Sequence, residues 1–122
     1  MKRNVIQEKS YLFALSIIKL YQELRLRKEY ELGKQVLRSG TSIGANIEES
    51  IGAQSDRDFF SKMNIAHKEA RETYYWLRLL KDAEIISQKS ASTLLFECNE
   101  LIKLSASIIT TIKKKNEKAE KP

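Results

Sequence analysis

The side chains able to do chemistry are few and lie far apart along the chain. His67 is the only histidine. It stands seven residues from both Phe60 and Tyr74, on the flank of a helical pattern that borders the core, where a structural role is the plainer reading. Cys98 is the only cysteine and falls in an apolar repeat with Leu94 and Leu101. A nucleophilic thiol needs exposure and a neighbouring base, so Cys98 reads as a small buried hydrophobe. A single cysteine excludes an internal disulfide and fits a reducing, cytoplasmic setting. Glu48, Glu49, Glu69 and Glu72 invite comparison with di-iron bundles, which use Glu-x-x-His ligands. Here Asn64 precedes His67 by three residues, so neither a metal nor another cofactor is expected. With no glycine-rich phosphate loop, HExxH or CxxC pair present, the expectation is a protein that is not an enzyme.

A polar series is more informative. Arg38, Ser42, Asn46 and Glu49 are spaced four, four and three residues apart, which puts them on one face of a helix. They fit a solvated face, a ligand site, or a hydrogen-bonded network reaching Glu69 and Glu72 on the next helix. The network is favoured, because a guanidinium pairs bidentately with carboxylates and an asparagine both donates and accepts. Such a network would set helix register or subunit pairing more than it would add stability.

The formal charge of +6 suggests an anionic partner, RNA or DNA. Its distribution tempers that suggestion: positions 10–112 hold 14 basic and 13 acidic residues, and the excess lies in the ends. Lys19, Arg25, Arg27, Lys28 and Lys34 gather around the first inter-helix loop, interleaved with Glu23, Glu29 and Glu31, while Lys113, Lys114 and Lys115 form a basic run near the C-terminus. These eight are the candidate nucleic-acid contacts, against the plainer reading of a solvated surface and a solubilising tail. Repetition of a modest patch around an oligomer would make it multivalent towards a polyanion.

The elements that must position these groups are helical. The one proline is Pro122, so none interrupts a helix, and apolar residues recur at helical spacing. Ser10 can cap a first helix over about 10–29, with Phe13, Ile17, Leu20, Tyr21 and Leu24 inward and Leu15 and Ile18 widening the buried face. A second, over about 31–53, carries Val36, Gly40, Ile43, Gly44, Ile47 and Ile51 on one side. Each inner glycine costs a helix about 1 kcal/mol relative to alanine, which tight packing against another helix would offset. A hinge is the alternative. Ser55 or Asp56 opens a third helix to about 84, whose series Phe59, Met63, Ala66, Ala70, Thr73, Leu77 and Leu80 steps by fours and threes. Ser87 or Ser90 opens a fourth over about 87–116, carrying Leu94, Cys98, Leu101, Ser105, Ile108 and Ile112. The expectation is one domain over 1–122: an all-α, antiparallel up-down-up-down four-helix bundle with mobile basic ends at 1–9 and 117–122. No stretch reaches the roughly 20 apolar residues of a membrane span.

On the third helix Ile65, Trp76, Leu79 and Ala83 fall roughly opposite the core seam at 100° per residue. A monomer would expose this stripe, so Ile65, Trp76 and Leu79 are the expected oligomer interface.

From Arg38 through Ser39-Gly40-Thr41-Ser42-Ile43-Gly44-Ala45-Asn46-Ile47-Glu48 to Glu49, the chain resembles the bacterial four-helix-bundle family of proteins encoded by intervening sequences in 23S ribosomal RNA genes. The likeness continues through Asp58-Phe59, Ala66-His67-Lys68-Glu69-Ala70 and Leu77-Arg78-Leu79-Leu80. This resemblance implies a ring-like homopentamer. A related member, the accessory variability determinant of diversity-generating retroelements, associates with a reverse transcriptase and nucleic acid. The implied role is therefore a nucleic-acid-associated accessory protein, or a protein-interaction scaffold that does not touch nucleic acid, with a reverse transcriptase as one candidate partner.

Overall fold

The computed structural model describes residues 4–120. Four helices follow one another: α1 (Val5–Leu26), α2 (Tyr30–Ile51), α3 (Asp56–Asp82) and α4 (Gln88–Glu120). Sequence neighbours pack together, α4 closes weakly onto α1, and the pairs α1/α3 and α2/α4 lie across the diagonals. This is the up-down-up-down bundle, and there is no strand among the described residues.

Helix α1 starts earlier than the periodicity suggests. Asn4, not Ser10, is the cap, accepting the Gln7 backbone N–H at 3.0 Å. Ile6 is buried in the core, and Ser10 is itself buried inside the helix, its hydroxyl turned back onto the Gln7 carbonyl at 3.0 Å. A core slot for Ile6 pulls one more turn into the helix. At the other terminus α4 is helical to Glu120. Of the ends expected to be mobile, 4–9 and 117–120 therefore belong to helices or their cap, while 1–3 and 121–122 lie outside the described residues.

The connections are short. Ser55 caps α3 by accepting the Asp58 N–H at 3.1 Å, and Ser87 accepts the Ser90 N–H at 3.1 Å at the start of α4. The α1–α2 and α3–α4 turns, at the same end of the bundle, each place a non-glycine residue in the left-handed region: Lys28 (φ 63) and Glu84 (φ 60). The Arg27 guanidinium donates to the Ile85 carbonyl, tying the two turns together.

The core is a column of Phe13, Ile17 and Leu24 from α1, Val36, Ile43 and Ile47 from α2, Met63, Ala66, Ala70, Thr73, Leu77 and Leu80 from α3, and Ala91, Cys98 and Leu101 from α4. The glycines of α2 have a steric purpose. A Cβ on Gly40 would lie 2.8 Å from the Ile17 side chain, and one on Gly44 would lie 3.3 Å from the Ser10 carbonyl oxygen. Helix α2 runs unbroken through both, so they mark close packing on α1 and not a hinge.

Some inward placements fail, and Ile51 at the end of α2 is 45% exposed. Leu15 and Ile18 do not widen the buried face of α1; they are 43% and 39% exposed. Both of its lateral neighbours approach α1 from the side of Phe13 and Ile17, and the angular width of the core is used up by Ile6, Phe13, Ile17, Leu20 and Leu24. With Tyr11 and Leu12 at 61% and 52% exposed, the outward side of α1 is an apolar stripe.

Candidate functional site

The polar series of α2 divides into separate contacts. Arg38 reaches across to α3, its guanidinium donating to Glu69 Oε2 at 3.4 Å and to Glu72 Oε2. Glu69 is buried, as an aliphatic stem and a paired carboxylate permit. Asn46 turns back within its own helix, donating to the Ser42 carbonyl at 2.9 Å and to its hydroxyl at 3.1 Å. Glu49 instead pairs with Lys62 of α3 at 3.2 Å. Arg38, Ser42, Asn46, Glu49, Glu69 and Glu72 thus make three separate sets of contacts, two across the α2–α3 seam and one within α2, not one connected network. A buried hydroxyl pair outside that series, Thr73 Oγ1 and Ser39 Oγ at 2.9 Å, adds a fourth.

Glu72 does more than hold Arg38. Its Oε2 also accepts the Trp76 indole N–H at 3.2 Å, and the Trp76 ring meets Tyr75 edge-on, with centroids 5.2 Å apart. Trp76 is half-buried and packs partly on the core. It sits on the flank of α3 that faces α2, because residue 76 lies about 100° from the buried Leu77. The stripe expected as an interface is therefore a flank and not the back of the helix; Ile65 and Leu79 are each 36% exposed there.

The true back of α3 carries charge. Arg57, Ser61, Asn64, Lys68, Arg71, Tyr75 and Arg78 step by four and three residues, and all but the half-buried Asn64 are exposed. None of the four cations pairs with a described carboxylate. The signal for this line is in the sequence: its basic residues keep the same four-three rhythm as the apolar residues of the core seam.

The eight basic candidates are not one surface. Arg25, Arg27, Lys28 and Lys34 surround the end where α1 passes into α2, and α4 begins at that end. Lys113, Lys114 and Lys115 lie 25 residues further along α4, about 37 Å away at 1.5 Å per residue. Lys19 is elsewhere again, in a cleft of about 320 Å³ between α1 and α4 lined also by Glu23, Lys89 and Glu97. Burial raises the Glu97 carboxyl pKa, Glu100 raises it further, and Lys9 opposes both. Lys9 itself bridges to Glu100 at 3.3 Å.

The groups most able to do chemistry are engaged structurally. Cys98 Sγ donates to the Ala70 carbonyl at 3.2 Å, and burial pushes its thiol up to about 12, far from a thiolate at neutral pH. His67 Nδ1 lies 2.9 Å from Ser105 Oγ. Burial lowers the imidazole pKa, Arg71 lowers it further, and a backbone contact at Ile102 partly restores it. No cluster of His, Cys, Asp and Glu among the described residues could hold a metal ion. No helix among them is long and apolar enough to cross a membrane.

Comparison with known proteins agrees with this architecture. A crystal structure of a protein of unknown function from the S23 ribosomal protein family of Bacteroides thetaiotaomicron superimposes with a TM-score of 0.83 at 48% identity, covering 85% of this chain and 97% of that one. Among curated proteins none is significantly similar. The family model for the 23S rRNA-intervening sequence protein matches residues 2–107. With the Arg38–Glu69/Glu72 seam, the paired hairpins and most of the chain's length inside that match, the protein belongs to the 23S rRNA-intervening sequence protein family.

Proposed function

We propose that the chain is a non-catalytic, cytoplasmic accessory protein that associates with RNA or DNA as an oligomer. The supporting observation is the charge arrangement of the bundle. Four of its carboxylates reach cations across the seams, Glu69 and Glu72 to Arg38, Glu49 to Lys62, and Glu100 to Lys9. The exposed cations on the back of α3 keep no such partner. A nearly neutral body, 14 basic against 13 acidic residues over positions 10–112, therefore coexists with a locally cationic face, and phosphate neutralisation by such a face drives binding through counterion release. The test is binding of a structured RNA and of duplex DNA across a salt series. The expected result is affinity that falls linearly on a log–log plot against salt; no binding at low salt by an intact assembly would overturn the proposal.

A second surface favours a protein partner, and the partner proposed is another copy of the chain. Tyr11, Leu12, Leu15 and Ile18 form a contiguous apolar stripe on α1, a kind of patch that folded chains usually cover. This stripe replaces the Ile65, Trp76 and Leu79 flank as the main contact in the oligomer, for which the family resemblance suggests a ring of five. If nucleic acid is not bound, the same assembly would act as a scaffold.

A further inference from the structure

Within the cationic back of α3, one spot has more than charge. Tyr75 is half exposed and is flanked by Arg71 four residues before it and Arg78 three residues after it. These are its neighbours on the helix surface, one turn to either side. The tyrosine ring is not free to wander. It rests edge-on against Trp76, whose indole is held by Glu72, whose carboxylate is held in turn by Arg38. The hydrogen bonds Cys98–Ala70 and His67–Ser105 set the antiparallel register of α3 and α4, which puts Phe96 at about the height of Tyr75. Phe96 is 68% exposed, with Lys103 two turns along the same outward side of α4. Two exposed aromatic rings at one level, interleaved with unpaired cations, are poorly suited to a base-paired duplex, whose bases present no free faces at the surface. They suit a strand with unpaired bases, which stack on aromatic rings while the phosphates meet arginine and lysine.

We infer that the α3–α4 face centred on Tyr75, Arg71 and Arg78 binds single-stranded nucleic acid, with Tyr75 and Phe96 as stacking platforms and Arg71, Arg78, Lys68 and Lys103 as phosphate contacts. The Arg38–Glu72–Trp76 series acts as a positioning device for Tyr75. This gives the seam motif a role beyond helix register. The inference rests on the proposed association with nucleic acid and specifies its substrate.

The experiment uses the full chain, a fluorescent thymidine 20-mer and a mixed-sequence 20-base-pair duplex, titrated at several salt concentrations. The single strand is expected to bind more tightly than the duplex. Tyr75→Ala should weaken the single strand roughly ten-fold or more, in line with the stacking contribution of one aromatic platform, while Tyr75→Phe keeps the affinity. The double variant Arg71→Gln with Arg78→Gln should make the salt slope shallower by about 1.4, at about 0.7 for each phosphate that is no longer neutralised. Circular dichroism controls for folding. If the duplex binds as tightly as the single strand, or if Tyr75→Ala and the double variant bind like the parent, this inference is overturned while the broader association stands. If the parent binds neither probe at low salt, both readings fall.

Discussion

Helices α1 and α3 sit diagonally across the bundle, and both present an outward face to solvent, yet the two faces have opposite chemistry. That of α1 is apolar, with Tyr11, Leu12, Leu15 and Ile18 exposed. That of α3 is cationic, with Arg57, Lys68, Arg71 and Arg78 around Tyr75. Their inner faces, by contrast, are alike: Phe13, Ile17 and Leu24 on one, Met63, Leu77 and Leu80 on the other. The inner faces are alike because both answer to the same core. The outer faces are free of that constraint; in the reading proposed above, that of α1 meets a second copy of the chain and that of α3 an anionic strand.

The largest effect should come from making the two outer faces alike. Leu15→Arg combined with Ile18→Arg puts charge onto the α1 stripe without touching the core. The expected outcome in light scattering is collapse of the proposed oligomer towards the 14.1 kDa of a single chain, with helicity retained. An unchanged mass would remove α1 from the interface.

Next is the contact that fixes which way α1 faces. Gly40→Ala drives a methyl group to 2.8 Å from the buried, β-branched Ile17, which has no room to yield. Overpacking of this kind costs about 1–3 kcal/mol, more than the gain in helix propensity returns. Urea denaturation should show a net loss of stability. Gly33→Ala is the control in the opposite direction. Its added methyl would meet Leu24 and Tyr21 at 3.5 Å, an ordinary contact, and should stabilise the protein by roughly 0.5–1 kcal/mol. A loss at Gly33 equal to that at Gly40 would refute close packing as the reason for the α2 glycines.

A thiol probe distinguishes the inner from the outer face of the bundle. With its pKa pushed up to about 12 by burial, Cys98 should react with an aromatic disulfide reagent only as fast as the protein unfolds. Fast labelling of the native chain at neutral pH would contradict its place in the core.

The smallest effect is a pH dependence. The His67 pKa is lowered in the folded state, so the unfolded chain binds more protons there as pH falls through the ordinary imidazole value of about 6.5. The contribution of neutral His67 is complete above that value. It declines as pH drops towards the lowered folded value. Thermal melts of the parent should lose stability over that window, and His67→Gln, which retains a hydrogen-bonding group for Ser105, should lose less. Equal losses in the two proteins would assign the pH dependence elsewhere.

Much of the fold is legible in the sequence. The inward series of α3 and the placing of Cys98 in the core can be read from spacing alone, because helical periodicity encodes burial locally. Spacing also narrows the cap of α3 to Ser55 or Asp56, since a small polar side chain before an acidic first turn can satisfy free N–H groups by itself, and the structure selects Ser55. The candidate site is less legible. The basic residues of the first loop and of the C-terminal run look like one class in sequence, but antiparallel packing sends them to opposite ends of the bundle. The start of α1 is hidden because Val5 and Ile6 are an isolated apolar pair in a polar stretch, and only the core shows that Ile6 has a slot to fill.

Composition and spacing by themselves determined that the chain would be helical, how many helices it would form and the central line of residues that each would turn inward, since these follow from backbone geometry and local patterning. Tertiary structure decided the rest. It alone showed that Leu15 and Ile18 lie outside, that Arg38 meets Glu69 and Glu72 while Glu49 goes to Lys62, and that Tyr75 rests edge-on against Trp76. The physical reason is that periodicity reports only the angle of a residue on its own helix. Which neighbour, if any, occupies that angle depends on how the other three helices are arranged around it.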